Sequence, residues 1–240
     1  MQIDRSAERH SDICAFQPWF GSVSSETSAD ASAHAASALG DYLNHDDPVV
    51  RFASFWAVCA ALFAAAWYVG YYLLPEGLLR SSTAASALPA YAGSVWAEFL
   101  TIFAWNLGVC LLVVAANTFR SVRTPLGYLV VVVNWVQGAV VWGTGSLAVE
   151  TARFAPSLSV ALGRSGVYEL TAYVAVAVAT RGVMIWHQRS GPRWREEFER
   201  TQSPRDWTIS RREAGVLLAG LALLAVSNYR EAVMIAEAVG

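Results

Sequence analysis

Apolar residues in this chain fall into long uninterrupted blocks instead of alternating with polar ones, and the blocks predict the elements. Between Arg51 and Glu76 there is no charge. Phe52 to Leu74 therefore makes a helix of about 34 Å at 1.5 Å per residue, enough to cross a bilayer core. Trp67, Tyr68, Tyr71 and Tyr72 gather at its far end, the headgroup level where an apolar ring and a polar tip are both satisfied, and Pro75 stops the helix. The pattern predicts a second span from Val95 to Phe119 and a third from Pro125 to Val149, joined by a tight loop with Arg120 and Arg123. A fourth runs from Gly166 to Trp186 and a fifth from Ala214, interrupted at Arg230 and Glu231. The fold class is all-α, a polytopic transmembrane bundle of about five spans.

The segments between the blocks are polar or broken. Residues 1 to 48 hold Ser, Ala, Asp and His without a basic start followed by an apolar core, so no cleavable leader is expected. The stretch Ser22 to Ala38 has too little apolar area to offset its ordering entropy. A Ser/Ala connector follows the first span from Ser81 to Ser94, and Thr151 to Arg164, with Pro156, reads as interfacial. His187 to Glu213 carries seven arginines and five acids and belongs in water. Two regions result: 1–48, disordered or surface-helical and cytoplasmic, and 49–240, the membrane domain with its charged loop at 187–213.

Composition sharpens this picture. Of 240 residues, 55% are hydrophobic and 15% charged, where a soluble domain has roughly a quarter charged. The net charge of −2 gives no field suited to nucleic acid. All 17 basic residues are Arg. Twelve of them fall on the side holding the N-terminus, the second loop and the 187–213 segment, against Arg80, Arg153, Arg164 and Arg230 opposite, and the positive-inside rule then puts the N-terminus in the cytoplasm. Cys14, Cys59 and Cys110 lack the spacing of a disulfide framework or a zinc site. His10, His34 and His45 lack metal spacing too, so no metal or cofactor is expected.

Candidate chemistry lies in the polar residues at membrane depth, where a charge costs roughly 2.5–3.5 kcal/mol on insertion scales. The second span has Glu98 near its outer end and Asn106 near the middle. The third has Asn134 and Gln137, and the fourth has Glu169 near its outer end and Arg181 deeper. Antiparallel packing of the second and third spans sets Asn106 level with Asn134, within reach of an amide–amide bond, although such residues also serve simply as helix-to-helix glue. Glu169 and Arg181 are about 18 Å apart along one helix and need separate partners; Arg181 is near enough to the end to snorkel. Gly138, Gly143 and Gly145, with Ala172, Ala175, Ala177 and Ala179, permit close helix approach.

The block from Phe99 to Gly182 resembles the integral membrane family of stage II sporulation protein M. The resemblance is carried by Ile102-Phe103 followed by Asn106, by Gly127 to Asn134 with Gly138 four residues on, and by Gly166-Val-Tyr-Glu169-Leu-Thr-Ala172. Trp135 stands where that pattern has Gly after Asn, and Ser165 where His often precedes Gly. The resemblance implies a membrane protein working beside other membrane machinery, not a hydrolase.

Three functional readings follow. Gly163-Arg-Ser165-Gly166 looks like the nucleophile position of rhomboid proteases, but a serine there needs a histidine base in reach, and no later span has one. A small-solute or ion transporter or channel subunit would use Glu98, Asn106, Asn134, Gln137 and Glu169 as a polar path. The preferred reading is a non-enzymatic protein that organises or recruits a membrane complex, with the bilayer and a membrane protein or a second copy as partners. Its docking or anionic-lipid surface would be Arg193, Trp194, Arg195, Arg200, Arg205, Trp207, Arg211 and Arg212.

Overall fold

The computed structural model describes residues 34–35, 37–80, 92–121, 124–147, 152–188 and 198–239. The chain divides into two compact units, Met1–Ser37 and Ala38–Gly240. Of the first only residues 34, 35 and 37 are described, all helical; Cys14, His10 and nearly all of Ser22 to Ala38 lie outside the described residues. Everything below concerns the second unit.

That unit is an all-α bundle with four helices long and apolar enough to cross a membrane: α1 (Pro48–Tyr72), α2 (Val95–Asn117), α3 (Leu126–Thr144) and α6 (Arg211–Val239). Its length and composition make it a multi-pass membrane protein. Each start has a local cause. Pro48 occupies the first turn of α1, where its missing N–H costs nothing, and the Asp47 carboxylate accepts from Val49 N. The Ser94 side chain accepts from Ala97 N at the head of α2. Gly145, at φ +63°, ends α3 in the left-handed conformation that glycine tolerates.

The remaining elements correct the sequence reading. The fourth span is expected to run from Gly166 to Trp186, but α5 (Gly166–Ala179) has only 14 residues, about 21 Å. The chain leaves the helix at Thr180 and reaches β3 (Trp186–Gln188), so Arg181 lies past the helix end and not inside a span. The fifth helix, expected to break at Arg230, is continuous over 29 residues. A short α4 (Leu158–Gly163) occupies the segment read as interfacial.

α5 is central. Leu170 and every residue from Ala172 to Ala179 are buried, so the helix meets other helices all round, as an entirely apolar surface requires. Its alanines allow this: a Cβ on Gly220 of α6 would come within 2.6 Å of the Ala175 Cβ. A second close crossing joins α1 to α3, where a Cβ on Gly143 would meet Tyr71 N at 2.7 Å and the Gly70 carbonyl carbon at 2.8 Å. Gly138 is not crowded in this way, since a Cβ there would make only an ordinary contact with Leu170 at 3.5 Å.

A feature absent from the sequence reading closes one end. β1 (Phe119–Ser121), β2 (Thr124–Pro125), β3 and β4 (Glu199–Arg200) form a four-stranded sheet in the order β2-β1-β3-β4, with β1 parallel to β3. The loop between α2 and α3 and the exit from α5 are thereby tied together. This is the end where α1, α3 and α6 begin, and Arg51, Arg120, Arg181, Arg211 and Arg212 gather there. Arg80, Arg153, Arg164 and Arg230 belong to the other end. There Arg153 donates to the Tyr71 and Leu74 carbonyls and Arg230 to the Gly163 carbonyl.

Candidate polar site inside the bundle

Two of the six intramembrane polar candidates meet, and three residues not singled out from the sequence join them. Asn106 is the twelfth of the 23 residues of α2, its midpoint, and is buried. The Tyr173 hydroxyl on α5 donates to its Oδ1 at 2.7 Å, and its Nδ2 donates to Asn228 Oδ1 on α6 at 2.9 Å. Glu169, one turn before Tyr173, interacts through its side chain with Asn106 and with Glu231 of α6. Glu169, expected near the outer edge, thus faces a residue at the middle of α2. The Trp135 indole, at the middle of α3, donates to the Leu170 carbonyl at 3.0 Å and fixes the same level.

The cluster draws on three helices: α2 gives Asn106, α5 gives Glu169 and Tyr173, and α6 gives Asn228 and Glu231. Two buried polar atoms in it have no hydrogen-bond partner, Glu169 Oε1 and Asn228 Nδ2. One is an acceptor and the other a donor. Leaving such groups unmet is costly in an apolar interior, so the site is chemically unfinished and suited to a small polar occupant. Two carboxyls that share a hydrogen bond also need a proton or a cation between them, because facing like charges repel.

The other candidates lie elsewhere. Glu98 is buried at the head of α2, where its Oε2 accepts from Ala92 N at 2.7 Å. The expected pairing of Asn106 with Asn134 is not made. Asn134 Nδ2 donates back to the Val130 carbonyl of its own helix at 2.8 Å, and Gln137 is exposed on the outer face of α3. A helix carbonyl keeps a second lone pair after its backbone bond, so a side chain four residues on finds a partner there without crossing to another helix. Arg181 donates to Asn44 Oδ1 at 3.2 Å. Arg200, Arg205, Arg211 and Arg212 are exposed and Trp207 is half-buried; Arg193, Trp194 and Arg195 lie outside the described residues. Ser165 heads α5, while His187 is on β3 beyond the opposite end of that helix.

Asn228 and Glu231 were concealed by the apparent break at Arg230. Their signal is the stripe Gly220, Leu224, Ser227, Asn228, Ala232, whose three- and four-residue steps mark one helical face. Asn117 was missed as well: it is fully buried, and its Nδ2 donates to the Ala177 carbonyl at 2.9 Å and to Thr180 Oγ1 at 2.8 Å. A Cβ on Gly127 would overlap Asn117 Oδ1, so glycine there makes room for the amide. Ala172 packs beneath Gly220, and a Cβ on Gly166 would come within 3.0 Å of the Trp142 ring.

No group of three His, Cys, Asp or Glu arranged to hold a metal occurs among the described residues. No family model, curated protein or solved structure matches the chain.

Proposed function

We propose that this membrane protein is not an enzyme and that its interior cluster is the relay site of proton- or cation-coupled passage of a small solute or ion. The observation that carries the proposal is the meeting of Glu169 and Glu231, from two helices, beside Asn106 at the middle of a third. Intramembrane carboxylates that face a bundle interior are typical of proton and ion relays. A pair from separate helices adds a means of coupling, because charge on the pair favours separation of α5 and α6 and its neutralisation favours their contact.

Reconstitution tests this. Vesicles containing the full chain and a trapped pH indicator should show proton movement under an imposed gradient, and Glu169→Gln should abolish it. Wild-type vesicles no more permeable than protein-free ones would sink the transport reading. A second reading, a scaffold that recruits a membrane complex, is favoured by the exposure of Arg200, Arg205, Arg211 and Arg212 beside one bundle end. We propose membership of the stage II sporulation protein M family as part of that second reading; two residues that carry the resemblance, Asn106 and Glu169, lie in the cluster. Crosslinking in native membranes should then recover a defined partner in place of, or beside, further copies of the chain.

A further inference from the structure

The end of the bundle closed by the small sheet holds three arginines whose hydrogen bonding is incomplete. Arg51, on α1, is 2% exposed. Its Nη1 donates to the His45 and Asp46 carbonyls, and its Nη2 donates to Glu213 Oε1 at 2.8 Å and reaches the Val178 carbonyl at 3.5 Å. Arg120, on β1, donates through Nη2 to the Arg181 carbonyl at 3.1 Å. Arg181 donates through Nη2 to Asn44 Oδ1. All three Nε atoms are buried without a partner. The Tyr128 hydroxyl, on α3, is also buried and unpartnered, in a side chain 3% exposed.

These groups belong to one place. Arg120 and Arg181 repel each other and Arg51, and all three arginines act electrostatically on Tyr128. The acids that face them are Glu213, already paired with Arg51, and the exposed Asp46 near Arg181. Carbonyls at and just past the end of α5 help to explain why cations collect here, but they engage Nη atoms only, Arg51 Nη2 at Val178 and Arg120 Nη2 at Arg181. What remains is four buried groups that can donate, on three arginines and a phenol, none of them with a partner; the same end holds one buried acceptor without a partner, Asn117 Oδ1. Arg120 and Arg181 are half-exposed, so the site is reached from outside through these two side chains, Arg51 and Tyr128 being buried.

We propose that this end binds an oxyanion of the phosphate class, held by Arg51, Arg120, Arg181 and the Tyr128 hydroxyl. A guanidinium fork matches the planar spread of phosphate oxygens, and a tetrahedral oxyanion has enough lone pairs to accept from all four donors. The chemistry is common to the headgroup phosphate of an anionic lipid and to a free phosphate. The position, where the ends of five helices gather, is open to either.

The test uses the full chain purified in neutral detergent, with thermal unfolding followed by tryptophan fluorescence. Sodium phosphate is compared with sodium chloride at equal ionic strength, and phosphatidylglycerol with phosphatidylcholine. A phosphate-bearing ligand should raise the midpoint by several degrees in a concentration-dependent way, as a ligand that binds only the folded state must. Response to phosphatidylglycerol alone assigns a lipid, and response to inorganic phosphate assigns the free anion. Arg120→Gln, Arg181→Gln and the conservative Tyr128→Phe should each weaken binding, the arginine variants by about tenfold or more, and Arg164→Gln, at the other end of the bundle over the Phe154 ring, should leave it unchanged. Tyr128→Phe keeps the ring, so a folding failure in an arginine variant does not decide the matter. A wild-type midpoint that moves no more with either phosphate than with chloride or phosphatidylcholine overturns the proposal, as does unaltered binding in Tyr128→Phe and the folded arginine variants together.

Discussion

The two polar regions of the bundle sit at opposite ends of α5 and carry opposite charge. Glu169 and Glu231 lie beside its first turn, and Arg51 and Arg181 lie at its last. Each sign suits the helix dipole, whose first turn favours anions and whose last favours cations. They differ in how the charge is balanced. Arg51 has a carboxylate, Glu213, at 2.8 Å, whereas the two glutamates have each other, two amides and a phenol. The arginine end is thus partly neutralised by a carboxylate, while the acidic pair needs a proton or a cation between its own carboxyls.

The largest test of that difference is Arg51→Ala. It takes the partner of Glu213 Oε1, leaving only Ser210 on Oε2, and frees the carbonyls of His45 and Asp46, and breaking a buried pair on one side costs about 3–5 kcal/mol. Equilibrium unfolding in detergent should show a loss of that order. A loss below about 1 kcal/mol would mean that the pair is no better than a surface contact and that the arginine end is not structural.

Gly220→Leu follows, at about 1–3 kcal/mol for forced overpacking. Its Cβ would fall 2.6 Å from the Ala175 Cβ, so α6 must move off α5 and take Glu231 from Glu169. Vesicle proton movement should fall with it, while phosphate binding at the far end of α5 persists. Loss of both together would show that the two regions are one cooperative unit.

How these regions relate to the sequence depends on what a linear pattern can record. Long helices are legible because lipid demands about twenty apolar residues in a row, and α1, α2 and α3 begin and end within a few residues of the expected positions. α5 is shorter than a span because other helices surround it and lipid does not set its length; Thr180 and Arg181 read as span residues only on the assumption that it does. The sheet is invisible because its strands are two or three residues long, and the parallel pairing of β1 with β3 joins segments over sixty residues apart. Asn106 and Glu169 stood out as polar residues in apolar runs. Asn228 and Glu231 did not, since Arg230 beside them made the run look finished, although that arginine turns outward to the Gly163 carbonyl.

Charge removal in the acidic pair should act in the opposite direction from Arg51→Ala. Glu231→Gln keeps volume and hydrogen bonding but removes one of two facing carboxyls, and with it the like-charge repulsion between them. Unfolding should show no loss, or a gain of about 1 kcal/mol, while proton movement stops. A clear destabilisation would mean that Glu231 is held by a cation in the folded protein, and the pair would then be a cation site instead of a proton relay.

The finest distinction is Tyr173→Phe. The hydroxyl donates to Asn106 Oδ1, while the Asn106 amide nitrogen donates to Asn228, so the variant deletes one neutral bond and leaves the ring packed in the core. Interhelical hydrogen bonds in membranes average about 0.6 kcal/mol, and the unfolding midpoint should fall only by that much. Function should change more than stability. Without the phenol, Asn106 Oδ1 is free to accept from a protonated Glu169, and the carboxyl pair loses its symmetric access to the proton. Proton movement should slow while its dependence on Glu169 and Glu231 remains. Equal rates in Tyr173→Phe and wild type would confine Tyr173 to holding α5 against α2 and reduce the working site to the two glutamates and the two amides.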